Sequence, residues 1–416
     1  MQKIHNMNSD KTISVTVGVP RRILPVIVLS QFAGTSLWFA ANAVMPDMQR
    51  AWKLPAQAVG ALTSAVQLGF VMGTLVFALL MVADRFSPSR VFMVCASLGA
   101  LANAVVVLIE GHYGLLLASR FAVGFLLAGV YPVGMKIAAS WYHERLDAAM
   151  GVLIGALVLG TALPHGLRAL GVEVSGGDQA ARWWGLAQWQ IVILSVSLLA
   201  TMGGLATALW VPDSPTLQPG ARISPRALSV LWRDRKVRAS VWGYWGHMWE
   251  LYAFFVLLPL VLATRLESTQ VSIAAFVVIA GGALGCTGGG WVARYWGGAR
   301  VAGGQLAVSG LCCILAPLML TAPLPVFMVW LVVWGVTVSG DSPQFSALTA
   351  QNAPREIAGS VLTFSNCIGF MISIISIELF VRLAHAWPLE VVLPWLGLGP
   401  LLGVRLVRPL MRRVQT

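Results

Sequence analysis

Apolar runs of roughly 20 residues recur along the whole chain, cut by short polar stretches, and that is the length a helix needs to cross a bilayer. They predict twelve spans, at about 23–44, 56–82, 91–109, 114–140, 146–167, 189–211, 241–263, 271–293, 301–320, 325–350, 357–381 and 391–406. The polar remainder is a tail over 1–22, a linker over 212–239 and a tail over 407–416, which leaves two six-span halves, 23–211 and 240–406. The first tail has no separate apolar core, so no cleavable signal peptide is expected and span 1 serves as the insertion signal. The predicted fold class is an all-α polytopic membrane protein.

Composition agrees. Of the 416 residues 57% are hydrophobic and 11% charged, with mean hydropathy +0.78, where a soluble domain carries about 25% charged residues. Little chain remains for a soluble domain. The net charge of +12 does not point to nucleic acid, because the cations fall in short loops rather than on one soluble face. Of the 28 Lys and Arg, 21 lie on the side of the termini and six on the other. That asymmetry puts both termini in the cytoplasm and the chain in the cytoplasmic (inner) membrane. Cys95, Cys286, Cys312, Cys313 and Cys367 all sit inside apolar runs without CxxC spacing. They are expected to be small packing residues, with no disulfide framework or metal site.

Two details mark the loops. Trp183 and Trp184 suit a membrane interface. In the linker, Ser224-Pro225 is a good helix start, and Leu228, Leu231 and Trp232 fall on one side among Arg226, Arg233, Arg235, Lys236 and Arg238. This reads either as a short basic amphipathic helix on the inner membrane face or as an ordinary solvated linker.

The halves align at an offset of about 211 residues, as internal repeats of transporters do. Gly129-Val-Tyr-Pro132 lies over Gly340-Asp-Ser-Pro343, the loop Trp141–Asp147 over Gln351–Ile357, and Trp38 over Glu250. The loop after span 2 carries Asp84, Arg85 and Arg90, and its second-half copy carries Arg294, Gly297 and Arg300. Span 4 has Arg120-x-x-x-Gly124, and span 5 has Gly160-Thr-Ala-Leu-Pro164-His-Gly166.

On these features the chain resembles the major facilitator superfamily over nearly its whole length. The family's loop motif is G-x-x-x-D-R-x-G-R-[KR]; here Leu80 and Ser87 replace its glycines. The resemblance implies alternating access between the halves, a gating role for Asp84, Arg85 and Arg90, and a link between Arg120 and proton handling. More loosely, the chain looks like the cyanate and nitrate/nitrite porter branch. Nitrate porters of that type clamp the anion with arginines in spans 2 and 8, whose interiors here hold no charge.

Residues for chemistry follow from what is costly in lipid. Arg120 is a fixed positive charge, expensive at membrane depth; its alternative is snorkelling to the outer interface. Glu250, near the middle of span 7, is the preferred proton carrier. His247, one turn away, either relays to it or satisfies it. Asp341 either pairs with Lys136 across the halves or, like Lys136, caps a local helix break. Tyr131, Gln344, Asn366, Gln67, Gln31 and Trp38 are uncharged candidates for a cavity lining. The glycines of spans 5 and 8, including Gly281-x-x-x-Gly285-x-x-x-Gly289, favour close helix approach. No P-loop, HExxH or nucleophile elbow is present, so no enzyme activity, cofactor or ATP drive is expected.

The sequence therefore reads as a secondary transporter, working as a monomer, that moves a small organic or inorganic anion with coupling to protons. One alternative is proton-coupled efflux of amphipathic or cationic compounds. A second is a membrane sensor that transports nothing.

Overall fold

The computed structural model describes residues 19–109, 111–142, 146–174, 182–183, 185–215, 217 and 223–412. The predicted N-terminal tail through Gly18, loop residues 143–145, Trp184, Arg222 and the last four residues lie outside these. Among the described residues, ten helices are long and apolar enough to cross a membrane. Two shorter apolar helices, Ile23–Thr35 and Gly298–Ile314, stand where spans 1 and 9 were expected.

In the first half, span 1 is Ile23–Thr35, a run of turns, then Ala40–Ala43; span 2 is Ala58–Leu79 and span 3 Pro88–Ala104. Span 4 is split into Tyr113–Leu127 and Tyr131–Trp141, span 5 is Leu146–Val174 and span 6 Gln188–Trp210. In the second half, span 7 is Arg235–Ala263, span 8 Ser268–Trp296 and span 9 Gly298–Ile314. Span 10 is split into Leu324–Gly340 and Ser342–Asn352, span 11 is Ala358–Ala386, and span 12 ends in Leu398–Met411.

Spans 4 and 10 are broken at the helix breaks expected beside Lys136 and Asp341. Each restarts with a proline in its first turn, Pro132 and Pro343. Proline lacks the N–H that the preceding turn would bind and crowds the carbonyl four residues back, so the helix stops and begins again. The breaks fall at matching places in the repeat: the four helical segments start and end about 211 residues apart. The glycine contacts repeat too. Gly124 of span 4 leaves no room for a Cβ against the Val66 carbonyl of span 2, and Gly335 of span 10 none against the Val278 carbonyl of span 8. Small residues let helices pack backbone to backbone where lipid offers no hydrophobic drive.

One end of the molecule gathers the described terminal residues. Leu24 N donates to Tyr142 Oη at 3.1 Å, Arg22 Nε to Trp210 O at 3.2 Å, and Arg300 Nε to Met411 O at 3.1 Å. The linker there contains the helix Arg226–Arg233, which packs on spans 7 and 11. Its buried side chains include Ala227 and Leu231, whereas Leu228 and Trp232 are 40% and 48% exposed. The expected Leu228–Leu231–Trp232 stripe is thus divided between two faces. Asp234 ends this helix and opens span 7, accepting from Lys236 N and Val237 N. Span 7 therefore begins several residues earlier than its hydropathy indicates.

Candidate functional site

The halves meet along spans 5 and 8 and along spans 2 and 11. At the end far from the termini, the Arg168 guanidinium of span 5 grips Asp47 through Nε at 2.8 Å and Nη2 at 3.3 Å. It also donates across to span 8, to Ser272 Oγ at 2.6 Å and Ser268 Oγ at 3.3 Å. At the same end, Ser64 Oγ of span 2 donates to Glu378 Oε1 of span 11 at 2.9 Å. Deeper, Ser373 Oγ donates to Gln67 Oε1 at 2.6 Å. These polar ties join the halves and close that end.

An aromatic layer lies next. Trp38 sits 4.8 Å from Phe70 and stacks on Phe370 at 5.6 Å and Tyr252 at 6.0 Å between centroids. On the terminal side of this layer lies a cavity of about 130 Å³. Its walls are Phe70, Val71 and Thr74 of span 2, Tyr131, Pro132 and Met135 of span 4, and Leu362 to Phe370 of span 11, including Asn366 and Cys367. Among the described residues no charged side chain lines it. Tyr131 and Asn366 are thus cavity residues as expected, and Trp38 belongs to its aromatic roof. Gln67 ties the halves, Gln31 is buried against Gly134, and Gln344 packs beside Gly290 and Gly298. None of those three reaches the cavity wall.

The buried charges are wired differently from the expected pairs. Arg120 is fully buried and does not snorkel. Its Nη2 donates to Leu37 O at 2.7 Å and Trp38 O at 3.2 Å, and its Nη1 to Asn103 Oδ1 at 2.7 Å. Those carbonyls lie in the turns that interrupt span 1, so the guanidinium supplies donors that a continuous helix would have supplied itself. Asn103 is held in turn by Ile193 O at 3.2 Å and Ser197 Oγ at 3.0 Å.

Glu250 is also fully buried. Trp334 Nε1 of span 10 donates to Oε1 at 2.5 Å, Cys313 Sγ to Oε1 at 3.2 Å, and Ser309 Oγ to Oε2 at 2.8 Å. Its partners come from spans 9 and 10, and His247 is not one of them; the expected relay between the two is corrected. Cys313, expected only to fill space, is a ligand of the carboxylate. The five cysteines are all buried and free of disulfides.

His247 instead faces Asp341, with Nδ1 and Oδ1 2.7 Å apart and both side chains fully buried. The approach is not aligned as a hydrogen bond, and His247 Nε2 and Asp341 Oδ2 have no hydrogen-bond partner. The pairing of Asp341 with Lys136 is likewise overturned: Lys136 Nζ contacts Asp84 and donates to Ala83 O at 2.8 Å. This joins span 4 to the loop after span 2, within one half. Arg85 and Arg90 of that loop are exposed, and among the described residues neither forms an ion pair. Sequence reasoning missed Arg168, Asp47, Asn103, Trp334 and Ser309. The available signals were a span-5 arginine past the glycine run and an asparagine inside span 3.

The arrangement is a pair of helical bundles around a cavity, closed at one end by polar ties and carrying ionisable groups at membrane depth. No curated protein matches the sequence. The structure is similar to the crystal structure of the human organic anion transporter MFSD10 (TETRAN), with a TM-score of 0.70 at 14% identity, over 93% of this chain and 99% of that one. At that identity the likeness is one of fold. The family model of the Major Facilitator Superfamily matches residues 27–377. The chain therefore belongs to the Major Facilitator Superfamily and is a multi-pass membrane transporter of a small solute.

Proposed function

We propose that this transporter moves amphipathic small molecules in exchange for protons, loading them at the cavity between the halves. The observation that carries this reading is the uncharged, mostly apolar lining, which includes the rings of Phe70, Tyr131 and Phe370. A small inorganic anion needs an unspent cation in its site. Here Arg120 is used by Asn103 and two carbonyls, and Lys136 by Asp84. Apolar walls with a few polar groups, Thr74, Tyr131 and Asn366, suit an amphipathic solute. With the termini in the cytoplasm by charge asymmetry, the cavity lies toward the cytoplasm, the loading side for efflux.

The proton role falls to His247 and Asp341. They face each other at 2.7 Å, fully buried, with polar atoms that make no hydrogen bond. An unpaired polar atom at membrane depth is costly, and such groups mark ion pathways. Glu250, with both oxygens satisfied, holds span 7 to spans 9 and 10.

The test is solute-driven proton movement in proteoliposomes with a pH dye inside. Lipophilic cations, neutral amphipaths and organic and inorganic anions are added in turn. Wild type should respond to amphipaths, and Asp341→Asn should lose at least about ten-fold of that response while still binding solute. Proton movement with small inorganic anions alone would sink the substrate class. An undiminished response in Asp341→Asn would sink the proton role. A second reading, amphipathic organic anions, rests on Lys136. It adjoins the cavity residue Met135, and parting from Asp84 would free its charge; Lys136→Gln would then lose anions selectively.

A further inference from the structure

We propose that the linker helix Arg226–Arg233 and the turn into span 7 form a binding surface for anionic phospholipid headgroups. The helix turns Ala227 and Leu231 into the protein. Leu228 and Trp232, one turn apart, are exposed instead. Around them Arg226, Arg233, Arg235, Lys236 and Arg238 are all exposed, and among the described residues none is paired with a carboxylate. The one acidic residue among them, Asp234, is committed to capping span 7.

Apolar side chains beside unpaired cations match the boundary between headgroups and acyl chains. The cations then meet phosphate while Trp232 and Leu228 enter the interface. Proximity to spans 7 and 11 puts this surface at the membrane rather than out in solvent. It is also held in place. Trp232 packs on Trp245 and Trp242 of span 7, at 5.3 and 6.1 Å between centroids. Trp245 Nε1 donates to Ser365 O of span 11 at 3.0 Å, and the Ser224 amide to Ser360 Oγ, also at 3.0 Å. Ser365 directly precedes the cavity residue Asn366, so the surface is tied to the wall of the transport cavity.

The full chain is reconstituted in bilayers containing brominated phosphatidylglycerol or brominated phosphatidylcholine, and tryptophan quenching is measured. The quenching due to Trp232 is the difference between wild type and Trp232→Phe. Brominated phosphatidylglycerol should quench it at a several-fold lower mole fraction than brominated phosphatidylcholine, with the preference fading in high salt. Replacing Arg233, Arg235, Lys236 and Arg238 with Gln should abolish that several-fold preference, leaving quenching by phosphatidylcholine in place. All four side chains are exposed; Arg238 Nη1 also donates to Trp232 O at 3.1 Å, so that retained quenching is the check that the helix is still seated. Equal quenching by the two lipids in wild type, or a preference that survives the four substitutions, would overturn the proposal.

Discussion

The two halves bury opposite charges at related places in the repeat and satisfy them in different ways. In the first half the charge is Arg120, reaching span 1 and span 3; in the second it is Glu250 on span 7, reached from spans 9 and 10. Asn103 and Cys313, which touch the two charges, occupy matching positions on spans 3 and 9. The difference lies in the helix. Span 1 is interrupted and exposes carbonyls, which a guanidinium can fill; span 7 runs unbroken, and its carboxylate is met by an indole, a hydroxyl and a thiol. A cation held mostly by main chain is a structural rivet, since two of its three acceptors are carbonyls that cannot turn away. A carboxylate held by side chains has partners that can rotate. The buried His247–Asp341 pair, 2.7 Å apart, lies in that second half too, and this is why the proton step is placed there.

The largest effect expected from breaking this contrast is at Arg120. Arg120→Met leaves the Leu37 and Trp38 carbonyls and the Asn103 amide oxygen without their donor. Each buried acceptor left unsatisfied costs about 1–3 kcal/mol, and here there are three. Thermal unfolding in detergent should show a large loss of stability or no folded protein; a variant of wild-type stability would mean that span 1 closes without the rivet. Glu250→Gln should cost less, about 1–3 kcal/mol, because the amide oxygen still accepts while its NH2 faces other donors. Solute-driven proton movement should survive in it. If coupling disappears from a variant that folds normally, Glu250 and the His247–Asp341 pair exchange roles.

The parts of this picture visible in the sequence are those that depend on position along the membrane normal. Run length placed the spans, the Pro132 and Pro343 repeat aligned the halves, and the glycine spacing of span 8 anticipated a close helix approach without naming span 10 as the partner. Which side chains meet depends on the rotation of each helix about its own axis, and that is set by all its neighbours together. Lys136 and Asp341 occupy related depths, yet one turns to Asp84 and the other to His247. The interruption of span 1 was not legible for another reason. No proline marks it, and the donor that allows it, Arg120, lies more than 80 residues away. Arg168 lies at the end of an apolar run, where an arginine reads as a loop cation, yet its side chain is buried between halves.

Arg168 also gives the smallest effect and the clearest test of how the far end closes. Its guanidinium makes two kinds of contact: a bidentate grip on Asp47 in its own half, and donations to Ser268 and Ser272 in the other. Lysine keeps a point charge for Asp47 but cannot present the planar fork to all three partners. Arg168→Lys should therefore fold normally and lose only the tie between halves, worth about 0.5–1.5 kcal/mol for a hydrogen bond of this kind. Such a loss shifts a closed-to-open equilibrium by roughly two- to ten-fold. Spin labels on cysteines introduced at the exposed Gln57 and Thr321, one in each half, report the change, since the native cysteines are buried. The wild-type distance distribution should be dominated by the shorter population, and Arg168→Lys should enlarge the longer one. An unchanged distribution would assign closure to the Ser64–Glu378 and Gln67–Ser373 ties and to the aromatic layer around Trp38, leaving Arg168 as an anchor within the first half.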